Sequence, residues 1–469
     1  MTNSVTADSR PRLHRRWVDG LIVLVLATAA GAASFAGSRG LDAPLIKSIH
    51  WDVWFDADCP RVHCTTVEER GVHLRTGAHP LFKLWTYPPA LALRRLGLEP
   101  LVADRLLRSL TAAACAAAFY VLLRLLGSRR PDSVLFTLLA AVSAAAVFWF
   151  TVPTTYPAGL LSMLLALLLV AVGTARLKSP VWDVPVNILT LSFTSTNWMA
   201  GLLVTFARWP IRVALGVVVA AACFAATLMV IQNFCFPSTP IWSVSYDDWR
   251  YFFHAHAGGP GRILPAFFAH SMVMPALGTA VHDSTPVLSI QHAAPASTGL
   301  FGLLAVILWA ALLVLGGVTL YRRRQPARFC AVLALLIAGQ LLLHLLYGRE
   351  TFLYACHFGP LLVLVAAYGT LGRTRRLSLA LAVALLVCAG VNNVQQFRAA
   401  RARVQAIDQG ATPAGIAQPS GSMRVQSHCK HAARRGSAIT APTQQRELSA
   451  GFRVHHVARA CNDITRRSA

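Results

Sequence analysis

The stretch VPVNILTLSFTSTNWMAGLLVTF, residues 184–206, decides how the surrounding chain crosses its environment. It is long and apolar enough to span about 30 Å of hydrocarbon, yet Arg176 and Lys178 precede it while Arg208 and Arg212 follow it. Lys and Arg collect in cytoplasmic loops, so one full crossing would put the second pair on the wrong side. Asn187, Thr194, Ser195, Thr196 and Asn197 also interrupt the apolar run. The reading that satisfies both facts is a broken hairpin of two half-helices entering and leaving on one side. Its non-helical turn would be buried in protein, where irregular backbone at membrane depth is tolerated. Asn197 is the side chain expected to satisfy that turn.

On either side of this hairpin the chain alternates apolar runs with short basic clusters. Composition agrees: 55% hydrophobic residues, 13% charged residues and a mean hydropathy of +0.53 place it far from a soluble globular protein. Full spans are predicted near 18–37, 107–126, 133–150, 157–175, 213–231, 299–320, 328–347, 358–372 and 377–394. No strand alternation runs through them, so they must be helices, because lipid cannot satisfy open backbone groups. The fold class is therefore an all-α polytopic membrane protein of about nine full transmembrane helices plus the broken helical hairpin.

The net charge of +24 invites a nucleic-acid reading, which the placement of the charges defeats. Arg10–Arg16, Arg129–Arg130, Arg176–Lys178, Arg208–Arg212, Arg322–Arg324 and Arg373–Arg376 fall in short clusters between apolar runs, in the loops that the spans return to one side. That is the positive-inside pattern of a plasma (inner) membrane protein, with the N-terminus cytoplasmic, the C-terminus outside, and no nucleic-acid partner. Residues 1–17 form a basic cytoplasmic start and 18–397 the transmembrane domain, with outer loops at 38–105 and 232–298. Residues 398–469 hold 12 basic residues against 3 acidic ones without hydrophobic period, the composition of a disordered tail. Within the first outer loop, HPLFKLWTYPPALALRRLG (79–97) is apolar but broken by Lys83, Pro88 and Pro89, so it reads as an interfacial segment. Cys59 and Cys64 in the same loop can pair if it faces an oxidising compartment.

The polar residues that topology does not explain all lie outside. The first loop holds Asp52, Asp56, Asp58, Arg61, Arg75 and His79. The long loop holds Tyr246, Asp247, Asp248, Arg250, His254 and His256, and the turn at 347–357 holds Arg349, Glu350, Tyr354 and His357. A carboxyl group near an apolar boundary with arginines beside it can be tuned as a general base. Each aspartate taken singly reads first as a solvated turn residue; the cluster FDADCPRV (55–62) is what singles them out.

FDADCPRV, followed by RTGAHPLFKL (75–84) and later by YGRETFLYACHFGPLL (347–362), resembles membrane glycosyltransferases of the GT-C type. The resemblance rests on those three motifs and on the long first outer loop. It implies an inverting transferase that takes a sugar from a polyprenyl-phosphate carrier to a glycan or lipid acceptor on the outer face. Asp58 matches the family's base best, with Asp56 and Asp52 in reserve and Arg61 orienting it. Arg75, His79, Arg349 and His357 would hold the leaving phosphate, and Glu350 would position Arg349 or touch the sugar. Tyr354 belongs to the same late motif. One position departs: the outer turn reads Pro153-Thr154-Thr155-Tyr156 where the family pattern leads one to expect an acid. A divalent cation is possible in such a site, but the loss of that acid argues against assigning one, since divalent cations take several oxygen ligands. A transporter or flippase of a lipid-linked glycan, and a glycan polymerase or ligase, are the competing readings. Membrane lipids are partners under any of them.

Overall fold

The computed structural model describes residues 10–47, 53–71, 73–173, 176–243, 257–282, 285–323 and 326–409. Among these, seven helices are long and apolar enough to cross a membrane. They begin with α1 (Arg10–Ser38), which is apolar from Trp17 onward. Two short helices follow in the first loop, α2 (Asp42–Lys47) and α3 (Cys59–Val67), and then α4 (Phe82–Arg95). The second long helix is α5 (Pro100–Leu125), starting earlier than hydropathy suggested. α11 (Ile211–Cys235), α13 (Leu300–Arg323) and α14 (Ala327–Leu346) are the next three. A span over Thr351–Leu371 contains α15 (Ala355–Ala367), and α16 (Arg375–Asp408) completes the set. α8 (Tyr156–Val172) is a shorter apolar helix.

Two elements are discontinuous. The predicted third span is split into α6 (Arg130–Val142) and α7 (Ala144–Trp149) by Ser143, whose extended ψ of 151° ends one helix and starts the next. Its hydroxyl caps α7 by accepting from the Ala146 amide at 3.2 Å. The groups freed by the break find partners elsewhere: the Ala144 and Ala145 amides donate to the Met272 and Ser271 carbonyls, and Asn393 Nδ2 donates to the Val142 carbonyl.

The broken hairpin is formed by α9 (Asp183–Phe193) and α10 (Trp198–Arg208), joined by a 3-10 turn at Ser195–Asn197. Eleven residues reach only about 16 Å as a helix, too short to cross. The open ends lie together, with Arg208 Nε 3.1 Å from Asp183 Oδ1 and Trp209 Nε1 donating to Asp183 Oδ2 at 2.9 Å. Both halves therefore start and finish at one level. Asn197 does not satisfy the turn: its Oδ1 accepts from Gln340 Nε2 at 3.4 Å. The loop between α3 and α4 does so instead. The Ser195 amide donates to the Ala78 carbonyl (2.8 Å), His79 Nδ1 donates to the Phe193 carbonyl (2.7 Å), and the Leu81 amide donates to the Ser192 carbonyl (3.1 Å).

The basic clusters at the other end are tied to carboxylates. Asp19 accepts from Tyr120, Arg124 and Arg130, and Asp132 holds Arg375 through two bonds of 2.8 and 2.6 Å. The long loop contributes α12 (Pro260–Pro265), a π-turn at Ala266–His270, and a two-stranded antiparallel sheet of β1 (Gly278–His282) and β2 (Thr285–Ser289). The Leu288 amide of β2 donates to the Val53 carbonyl at 2.9 Å, so this ribbon fixes the first loop. α16 runs to Asp408, past the boundary expected at 398. Buried Ala400 and Val404, four residues apart, give the continuation one packed face. Arg403 donates to the Leu277 carbonyl, which ties it to the ribbon. Cys59 is not in a disulfide, so the first loop's cysteines are not paired with each other.

Candidate functional site

At the end of the helices opposite the Asp19 and Asp132 ion pairs, a cavity of about 230 Å3 is lined by five segments that the sequence keeps far apart. Asp56, Asp58 and Arg61 come from the start of α3, and Arg75 and His79 from the stretch before α4. Thr154, Thr155 and Tyr156 come from the turn into α8, and Thr194–Thr196 from the broken hairpin. Leu343, Tyr347, Arg349 and Tyr354 come from the end of α14 and the turn beyond it. Seven of the residues singled out by sequence (Asp56, Asp58, Arg61, Arg75, His79, Arg349 and Tyr354) therefore line one cavity. Glu350 and His357 stand behind its wall. Asp52 and the long-loop residues Tyr246, Asp247, Asp248, Arg250, His254 and His256 lie outside the described residues.

Asp58 is the residue before α3, and its side chain makes no capping hydrogen bond to that helix. It is ion-paired with Arg61 one turn on, while its Oδ1 is buried with no hydrogen-bond partner among the described residues. The preceding backbone is unusual: Phe55 and Asp56 have φ of 53° and 64°, the left-handed region that costs L-residues energy. What holds them there is an aromatic cluster. The fully buried Phe55 ring packs edge-on against Phe352 (5.3 Å between centroids), Phe148 (5.8 Å) and Trp149 (6.1 Å). These contacts turn Asp56 into the cavity. Sequence reading missed this, because the bend depends on rings from α7 and the late turn.

His79 takes a different part from the one its motif suggested. Burial, and then the positive charges of Arg61 and Arg75, hold its pKa well below the usual imidazole value. With Nδ1–H spent on the Phe193 carbonyl, the neutral ring offers Nε2 only as an acceptor. It positions the broken hairpin. His73, pushed down to about 3 by burial, donates through Nε2 to the His79 carbonyl at 2.8 Å and braces the same segment.

Glu350 also departs from expectation. Its Oε2 accepts from Ser289 Oγ (2.6 Å) and the Ile290 amide (3.2 Å), so it locks the late turn to the end of β2. Burial pushes its pKa up to about 7 against those hydrogen bonds. Behind Tyr156 and Tyr354, His357 packs against both rings and His344 against Tyr354. Gly159 of α8 makes room here: an added Cβ would lie 2.7 Å from His357 Nε2 and 2.8 Å from Asn197 Nδ2.

Three arginines (Arg61, Arg75 and Arg349), the first of them paired with Asp58, thus share with two carboxyl side chains a cavity walled by hydroxyls and aromatic rings. Such a set can hold a phosphate through paired N–H donors while keeping a carboxyl group beside it. Among the described residues no three His, Cys, Asp or Glu side chains converge as metal ligands, and the position of the missing acid is filled by Thr154 and Thr155.

The fold and this cavity define a polytopic α-helical membrane protein with a charged pocket at one end of its helices. No family model matches the chain, and neither curated proteins nor solved structures provide a match.

Proposed function

We propose that this chain is a membrane glycosyltransferase of the GT-C type, moving a sugar from a polyprenyl-phosphate carrier to an acceptor hydroxyl at the outer face of the plasma membrane. The observation that carries the reading is the meeting of Asp56, Asp58 and Arg61 with Arg75 and Arg349 around one cavity, from motifs nearly 300 residues apart. In the proposed step the acceptor oxygen attacks the anomeric carbon as the bond from that carbon to the phosphate oxygen breaks. The acceptor proton passes to the Asp58 carboxylate, held by Arg61. The electron pair stays with the departing polyprenyl phosphate, whose growing charge Arg75 and Arg349 stabilise most in the transition state. Asp56 lies beside the path as the alternative base, and Tyr354 and the hydroxyls of Thr154 and Thr155 contact the sugar. The N-terminus is cytoplasmic in this reading, since the site lies opposite the Arg124, Arg130 and Arg375 clusters.

The test is to purify the protein and offer it a panel of polyprenyl-phosphate sugars with candidate acceptors. Release of polyprenyl phosphate with a new glycosidic product is expected for at least one donor. Lipid-linked glycan crossing reconstituted vesicles, with no transfer to any acceptor, would replace this reading with that of a flippase.

A further inference from the structure

A second cavity, of about 270 Å3, lies within the membrane-spanning part between α1, α5, α6, α7, α8, α15 and α16. The break at Ser143 helps to open it, because alanines on both sides of the break (Ala140, Ala141, Ala145 and Ala146) line it in place of larger side chains. Its few polar side chains are all spent on backbone carbonyls. Ser34 Oγ donates to Phe150 (2.6 Å), Thr137 Oγ1 to Ser133 (2.7 Å) and Thr151 Oγ1 to Phe148 (3.1 Å). The Cys115 and Cys356 thiols point at the Pro157 and Ala145 carbonyls. The lining therefore asks only for hydrocarbon.

The outer mouth has the opposite character. Gly37 of α1 and Phe397 of α16 line the cavity, and just beyond them stand Arg39, Arg398 and Arg401, all exposed. The two helix ends converge there. Gln405 Nε2 donates to the Gly40 carbonyl at 3.0 Å, and a Cβ added at Gly40 would lie 3.4 Å from Arg401 Nη2. Arg401 sets its guanidinium beside Gly40, Arg39 lays its own over the Phe35 ring (5.2 Å), and Arg398 is exposed on the same helix end; an apolar cavity with basic residues at these converging helix ends matches an amphiphile with an anionic head and a hydrocarbon tail. The charged catalytic cavity is on the far side of an aromatic wall: Phe397 packs on Phe148 (5.4 Å) and Trp54 (6.0 Å), and Phe148 packs on Phe55.

We infer that this cavity binds one acyl chain of an anionic bilayer phospholipid, whose phosphodiester sits among Arg39, Arg398 and Arg401. The chain supports, through Phe397 and Phe148, the aromatic cluster that holds Phe55 and Asp56 in their left-handed turn. The site is independent of the transferase reading.

The experiment is native mass spectrometry of the full chain in neutral detergent, given equimolar dioleoyl phosphatidylglycerol and dioleoyl phosphatidylcholine. Retention of the anionic lipid is expected to exceed that of the zwitterionic one by about tenfold, on the scale of basic residues at a membrane surface. The surface variant R39A/R398A/R401A is expected to lose that preference, and Ala146→Phe to lose both adducts. Equal retention of the two lipids by the wild type, or a preference unchanged in the triple variant, overturns the inference. Displacement of phosphatidylglycerol one-for-one by a polyprenyl phosphate would overturn the phospholipid assignment and give the cavity to the carrier. Should Ala146→Phe fail to fold, the triple arginine variant still decides, because its changes are all exposed.

Discussion

Replacing Glu350 with Gln probes how the late turn is fastened to β2. An ordinary glutamate titrates near 4.5, and in the folded protein burial, opposed by hydrogen bonds from Ser289 Oγ and the Ile290 and Gln291 amides and aided by the charge of Asp56, raises Glu350 to about 7. The folded state therefore binds this proton more tightly than the unfolded state. Stability contributed at this position is intact below the unfolded value and falls as pH rises from about 4.5 to about 7. At about 1.4 kcal/mol per pH unit, the loss at pH 8 comes to about 3 kcal/mol. Glutamine keeps the shape and the acceptor for Ser289 and Ile290 but cannot ionise, so it mimics the protonated acid. Thermal unfolding in detergent at pH 5 and pH 8 should show Glu350→Gln close to the wild type at the lower pH. At the higher pH the variant should unfold at a clearly higher temperature. A variant equal to or less stable than the wild type at pH 8, or one that keeps the wild type's loss of stability between the two pH values, refutes the buried-carboxyl argument.

Other perturbations address the scaffold and the cavity. Gly159→Ala would drive a methyl group to 2.7 Å from His357 Nε2 and 2.8 Å from Asn197 Nδ2; overpacking of this kind costs about 1–3 kcal/mol, readable as a lowered unfolding temperature. Asp56→Gly removes the side-chain penalty of a left-handed residue and should raise stability by up to about 1 kcal/mol, while transfer falls if this carboxyl group faces the substrate. His79→Phe deletes the bond to the Phe193 carbonyl and leaves that acceptor unsatisfied at a cost of about 1–3 kcal/mol. Limited proteolysis of the variant should then cut near residues 193–197 sooner than in the wild type.

Much of this architecture is legible in the residues. Hydropathy marks the spans because hydrocarbon demands long apolar helices, and the basic residues flanking 184–206 require a hairpin there. The motifs at 55–62, 75–84 and 347–362 converge on one cavity, as loops on one side of a helical scaffold can. What stayed hidden depends on partners distant in sequence. Ser143 ends α6 because Met272, Ser271 and Asn393 take up the freed backbone groups. No local signal announces that, since Ser inside an apolar run usually bonds back to its own helix. The ribbon β1–β2 is foreshadowed by the β-branched residues in TAVHDSTPVLS (279–289), but its grip on Val53 and Glu350 is purely tertiary. The same holds for Glu350 and His357. Their motif placed them correctly in the chain, while helix packing turned them behind the cavity wall.

The central claim is that the carboxyl groups at the head of α3 take the acceptor's proton. Its most direct measurement is the rate of sugar transfer from a polyprenyl-phosphate donor by the purified wild type, Asp58→Asn and Asp56→Asn, with unfolding temperatures recorded alongside. The account expects Asp58→Asn to fold as the wild type does and to lose at least about 100-fold in rate, the scale of general-base catalysis, with Asp56→Asn affected less. Transfer at the wild-type rate by Asp58→Asn would contradict it.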